Sequence, residues 1–155
     1  MLDNKFNNLL RDARDHHKAG RFNNAESHYN RILELRPNDA EIQSKLGAAL
    51  AAQGKIVQSI SILNRAIEND PSLAEAHINL GGVLLIQGNM KAAISSFRQA
   101  ILLDFNQIAA HINLGNTYLK QGKLDDAKIS FNHALNIDSD SPQALSGLAT
   151  TNMKD

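Results

Sequence analysis

The segment AHINLGNTYLKQGKLDDAKISFNHALNID, residues 110–138, decides the fold of this chain. Its first half spaces His111, Leu114, Gly115 and Tyr118 as one face of a helix. Gly122 interrupts that pattern, and Leu124, Ala127, Phe131 and Ala134 then draw a second amphipathic face of period 3.6. Large and small residues alternate along both faces, so that glycine and alanine admit the bulk of the facing helix. The segment predicts two antiparallel helices of about 14 residues each, joined by a tight turn at Gly122.

The same arrangement recurs along the chain. Gly20, Gly54, Gly88 and Gly122 stand 34 residues apart, and a second series, Gly47, Gly81 and Gly115, keeps that interval seven residues ahead of the first. Two columns fixed in phase define a repeat. With the first series at position 15, the units are 6–39, 40–73, 74–107 and 108–141, and 142–155 reads as the opening helix of a fifth. Position 7 then holds Leu46, Leu80, Leu114 and Leu148, position 20 holds Ala25, Ser59, Ala93 and Ala127, and position 24 holds Tyr29, Leu63, Phe97 and Phe131. Pro37 and Pro71 end two of the second helices. Phe105 and Ser139 replace them later, so Asp104, Asn106, Asp138 and Asp140 must supply those stops. The expected fold is an all-α solenoid in one domain.

These residues resemble the tetratricopeptide repeat, whose pattern has a large or aromatic residue at position 4, Leu-Gly at 7 and 8, Tyr at 11, Ala at 20, an aromatic at 24, Ala at 27 and Pro at 32. The likeness covers nearly the whole chain and is closest in residues 110–138. The first unit departs from it at Asp12, Ala13, His16 and Ile32. The resemblance implies a right-handed superhelix whose first helices line an inner groove, with groove residues at positions 2, 5, 6, 9, 12 and 13. One end of that groove is then basic, with Arg11, Arg14, His17, Lys18 and Lys45; the other is amide-rich and apolar, with Ile78, Asn79, Ile112, Asn113, Asn116 and Lys120. Asparagine can donate to a carbonyl and accept from an N–H, so it can hold peptide backbone. Asn79 and Asn113 share position 6, similar to the asparagine ladder of O-linked GlcNAc transferases; generic polarity of the family is the competing reading. The carboxylate clamp of chaperone-tail binders needs Lys at position 5, where this chain has Leu10, Ser44 and Ile78.

Composition removes other classes. The 155 residues carry 16 basic and 16 acidic side chains, and no basic run offers the concentrated charge that binds phosphate backbones. Zero cysteines exclude disulfides, thiolate catalysis and cysteine-ligated metal. His77 and His111 share position 4 on helices roughly 8–10 Å apart, too far to share a zinc ion, and are expected to pack. His28 and His133 are expected to be solvated. Gly81-Gly82 falls inside a helix and not in a phosphate loop, and no nucleophile elbow occurs. No stretch approaches the roughly 18 apolar residues of a membrane span, and no secretory signal opens the chain.

The expected function is a non-catalytic, cytoplasmic interaction module for a protein or peptide partner, with no metal, cofactor, nucleic acid or membrane. Two other readings stay open. The chain can be the recognition arm of a larger glycosyltransferase or sulfotransferase, or it can self-assemble through Leu145, Leu148 and Met153 at the solenoid end.

Overall fold

The computed structural model describes residues 2–154; Met1 and Asp155, the latter assigned to the terminal helix, lie outside the described residues. Among the described residues the chain forms nine α-helices and no strand. They are α1 (Leu2–Lys18), α2 (Phe22–Leu35), α3 (Ala40–Ala52), α4 (Ile56–Asn69), α5 (Ala74–Ile86), α6 (Met90–Leu103), α7 (Ile108–Lys120), α8 (Leu124–Ile137) and α9 (Pro142–Lys154).

Each hairpin turns where the periodic glycine takes a left-handed backbone, with φ of +70° at Gly20, +75° at Gly54, +86° at Gly88 and +72° at Gly122. Side chains other than glycine rarely adopt that conformation. The next residue then donates its N–H back across the turn, from Arg21 to the His16 carbonyl at 2.9 Å and from Lys123 to the Tyr118 carbonyl at 3.0 Å. This satisfies carbonyls that a helix end leaves open.

The second helices stop without needing proline. Asp104 and Asp138 close α6 and α8, and their carboxylates accept from the N–H of Asn106 at 3.0 Å and of Asp140 at 3.1 Å. Asp70 does the same for Ser72 at 2.9 Å, beside Pro71. An aspartate turn thus closes three of the four hairpins, whatever follows it.

The position-24 side chains Tyr29, Leu63, Phe97 and Phe131 are all fully buried. Leu63, Phe97 and Phe131 lie against Gly47, Gly81 and Gly115, where a Cβ would come within 3 Å of them. Ser59 keeps its polar group inside by donating to the Gly47 carbonyl at 2.7 Å. In the first hairpin Ala13 and Ile32 are fully buried, so two of its four departures from the repeat pattern are accommodated in the core, while Asp12 and His16 are only partly buried. Gly147 is buried against the Phe131 ring, which it flanks together with Gly115.

Consecutive helices pack in pairs, and the odd-numbered helices also touch one another, α3 with α5, α5 with α7 and α7 with α9. No contact of similar extent joins the even-numbered helices. The odd helices therefore form the tighter inner layer of the solenoid. Between pairs, position 4 reaches back to the preceding turn: Gln43 Nε2 donates to the Pro37 carbonyl at 2.8 Å, and His111 Nε2 bonds the Phe105 carbonyl at 2.9 Å.

Candidate peptide-binding groove

The basic end of the inner wall is partly neutralised from within. Lys45 on α3 pairs with Glu75 on α5 at 3.2 Å. Arg11 pairs with its neighbour Asp12 at 3.3 Å on the open surface, where such contacts contribute little. His17 shares a 3.2 Å hydrogen bond with the Tyr29 hydroxyl, and burial, with help from Lys45, pushes its pKa down against the opposing pull of Glu75. The ring is therefore held toward its neutral form. Arg14 and Lys18 remain as exposed cations; Arg14 edges a cavity of about 490 Å³ that also touches Phe6, Arg36 and Glu41.

Position 5 is only partly open. Ser44 is fully buried, and Ile78 packs against the cluster of Ala74, Ala100 and Ala110. Asn79 uses its amide to donate to the Ser44 hydroxyl at 3.0 Å, which positions it but occupies one of its two N–H groups. Asn113 and Ile112 are half-buried, while Asn116 is exposed and Lys120 lies at the end of α7. Asn116 lines a cavity of about 410 Å³ between α7 and α9, together with Leu119, Gln143, Ser146 and Thr150. Gly82, one turn from Ile78, faces open space. Of the amide-rich residues, Asn116 is thus exposed beside a cavity, Asn113 is half-buried, and Asn79, like Lys45, is partly committed to holding α3 and α5 together.

Among the described residues no group of three or more histidine, cysteine or carboxylate side chains is placed to hold a metal ion. His28 and His133 do not stand free in solvent, as the sequence suggested, but stack against other histidines. His28 lies 5.2 Å from the His16 ring and His133 lies 5.4 Å from the His111 ring, centroid to centroid. His111 is buried; burial lowers its pKa, with the Phe105 carbonyl pulling the other way. For His77, burial likewise leads; its Nε2 makes no hydrogen bond, although the nearby Pro71 carbonyl favours protonation.

A pH dependence follows. His17, His77 and His111 all sit below the ordinary histidine value of 6.5, so beneath that pH the unfolded chain binds more protons than the folded one. Stability should fall as pH drops from about 6.5 and level off once the folded values are passed. Melting curves measured from neutral to mildly acidic pH check this. His111→Gln, which can bond the Phe105 carbonyl as Gln43 bonds Pro37, should flatten the decline. A melting point that holds or rises on acidification contradicts it.

Known proteins share this scaffold. Two tetratricopeptide repeat models match, over residues 16–81 and 72–140. The chain belongs to the tetratricopeptide repeat family. Domains of this family are in general protein–protein interaction modules, and no catalytic domain is evident among the described residues. TTC0263, a thermophilic TPR protein of Thermus thermophilus, has the same fold at a TM-score of 0.82, with 24% identity over 91% of this chain and 78% of that one. A MamA crystal structure matches at a TM-score of 0.76 and 25% identity, covering 91% of this chain and 82% of that one. The O-GlcNAc transferase of Thermobaculum terrenum matches at 0.78 and 25% identity, over 84% of this chain but only 26% of the enzyme. A comparison with curated proteins finds no match.

No helix among the described residues is long and apolar enough to cross a membrane. Two contacts between α3 and α5 escaped sequence reasoning, Lys45 with Glu75 and Asn79 with Ser44. Their signal was available: each pair lies within one residue or a few of the 34-residue period, with complementary side chains.

Proposed function

We propose that this chain is a non-catalytic, cytoplasmic interaction module that holds an extended protein segment along the inner wall, gripping its backbone with Asn113 and Asn116. The observation that carries the reading is the open surface at Asn116, which lines a cavity of about 410 Å³; Gly82 on α5, with open space where a side chain would stand, leaves room for close approach of a backbone. Asn79 supports the wall from its bond to Ser44, and Arg14, Lys18 and Lys120 favour a segment with acidic residues near its ends.

Selecting random short peptides on the immobilised protein provides ligands for a test. Asn113→Ala with Asn116→Ala should weaken the inner-wall peptides by at least about tenfold while the melting temperature barely changes. Asn79→Ala should instead lower stability by about 1–3 kcal/mol, because it leaves the buried Ser44 hydroxyl without its partner. Equal peptide affinity for the double variant and the parent sinks the proposal.

The likeness to part of an O-GlcNAc transferase favours a second reading, in which the chain is the substrate-recognition arm of a larger glycosyltransferase. A catalytic domain encoded beside it would decide for that. Self-assembly through α9 rests on Leu145, 48% exposed, and Met153, 85% exposed; Leu148 no longer supports it, because it packs against the Phe97 and Phe131 cluster. Light scattering separates that reading from the others.

A further inference from the structure

The outer face of the solenoid carries a second, different surface. The 34-residue period makes each unit a control for the others, and four outward columns break at one place. Position 22 is Ser27, Ser61 and Ser95, then Ile129. Position 25 is asparagine at 30, 64 and 132, but Arg98 in the third unit. Position 29 is Glu34, Glu68 and Asn136, but Leu102. Position 32 is Pro37, Pro71 and Ser139, but Phe105.

All four departures line one groove, which runs between α6 and α8 over a floor of His111, Leu114 and Tyr118. Three of them are large apolar side chains that water should penalise: Leu102 is 80% exposed, Ile129 56% and Phe105 51%. They rim a cavity of about 380 Å³, which passes Arg98, Leu102 and Tyr118 into a second cavity of about 640 Å³ bordered by Lys91 and Lys123. Arg98 is held in place by donating to the Tyr118 hydroxyl at 2.6 Å. Among the described residues neither it nor Lys91 nor Lys123 makes an ion pair. Among the described residues Asp126 is the one carboxylate on the lining of the two cavities.

We propose that this α6–α8 groove is a second docking surface for a protein segment that presents a large apolar side chain beside a carboxylate. The apolar side chain settles among Leu102, Phe105 and Ile129, which gives them the cover that the folded chain withholds. The carboxylate meets the Arg98 guanidinium, already oriented by Tyr118, and Lys91 and Lys123 steer it there. The inner wall plays no part, so the two surfaces stand or fall separately.

The test reverts the groove to what the other units carry: Arg98→Asn, Leu102→Glu, Phe105→Pro and Ile129→Ser in one chain. Asp104 already has the extended backbone, φ −149° and ψ 104°, that Asp70 adopts before Pro71, so the proline is compatible with the turn. If that chain fails to fold, Arg98→Asn with Leu102→Glu, both exposed, replaces it. Random short peptides selected on the parent protein should include a class with an apolar residue next to Asp or Glu. That class should bind the reverted chain at least about tenfold more weakly and bind the Asn113→Ala, Asn116→Ala chain unchanged. The proposal is overturned if no such class is recovered, or if its members bind the reverted chain equally well. It is overturned as well if sedimentation shows a parent dimer that reversion dissolves, since the occupant is then a second copy of this chain.

Discussion

Truncating Phe97 to alanine is expected to lower the unfolding free energy by about 3–5 kcal/mol. Phe97 is fully buried, with its ring laid over Gly81 and joined in one cluster with Ala93, Leu114, Tyr118 and Phe131. It therefore ties α6 to both α5 and α7, and its loss leaves a void at their junction. Small domains have only about 5–15 kcal/mol in total, so much of the chain's margin goes with this ring. Chemical denaturation followed by circular dichroism measures the change. A loss under about 1 kcal/mol would mean that Phe97 does not sit in the core.

The second large effect is at the other side of the same contact. Gly81→Leu places a Cβ about 2.5 Å from Phe97 Cε1, inside the space of a ring that is itself enclosed. Because the obstruction is an aromatic ring and not the free end of a flexible chain, the helices must move apart, at a cost of about 1–3 kcal/mol or more. The adjacent glycine supplies the control. Gly82 has nothing within 4 Å of where its Cβ would stand, so Gly82→Ala should raise stability by about 0.5–1 kcal/mol through helix propensity alone. Opposite signs at neighbouring residues are measurable in one set of thermal melts. Two similar values would contradict the register of α5 against α6.

Much of this was legible in the sequence because it follows from backbone geometry. A residue that must have positive φ, or must have no Cβ, leaves glycine little competition, so Gly20 and Gly81 and their counterparts mark the turns and contacts directly. The aspartate stops at Asp104 and Asp138 were legible for a similar reason, since a carboxylate two residues before an open N–H can cap it. The side chains of the groove were less legible. Asn79 and Lys45 present the same pattern whether they face a ligand or the next helix, and only the packing of α3 on α5 shows that Ser44 and Glu75 have claimed them. Gly147 was not legible for the converse reason: it stands outside both periodic glycine columns, and the need for a glycine there arises from the Phe131 ring on another helix. His133 pairs with His111 across 22 residues, a separation that no helical or repeat spacing singles out.

The inner-wall proposal is tested most directly by following side-chain amide signals in nuclear magnetic resonance spectra during titration with a selected peptide whose binding survives reversion of the outer groove. The Asn113 and Asn116 side-chain amides should shift strongly with saturation, while Asn136, on the outer helix α8, stays in place. Asn113 and Asn116 unmoved at saturating peptide, with shifts elsewhere in the chain, would show that the inner wall is not where this protein holds its partner.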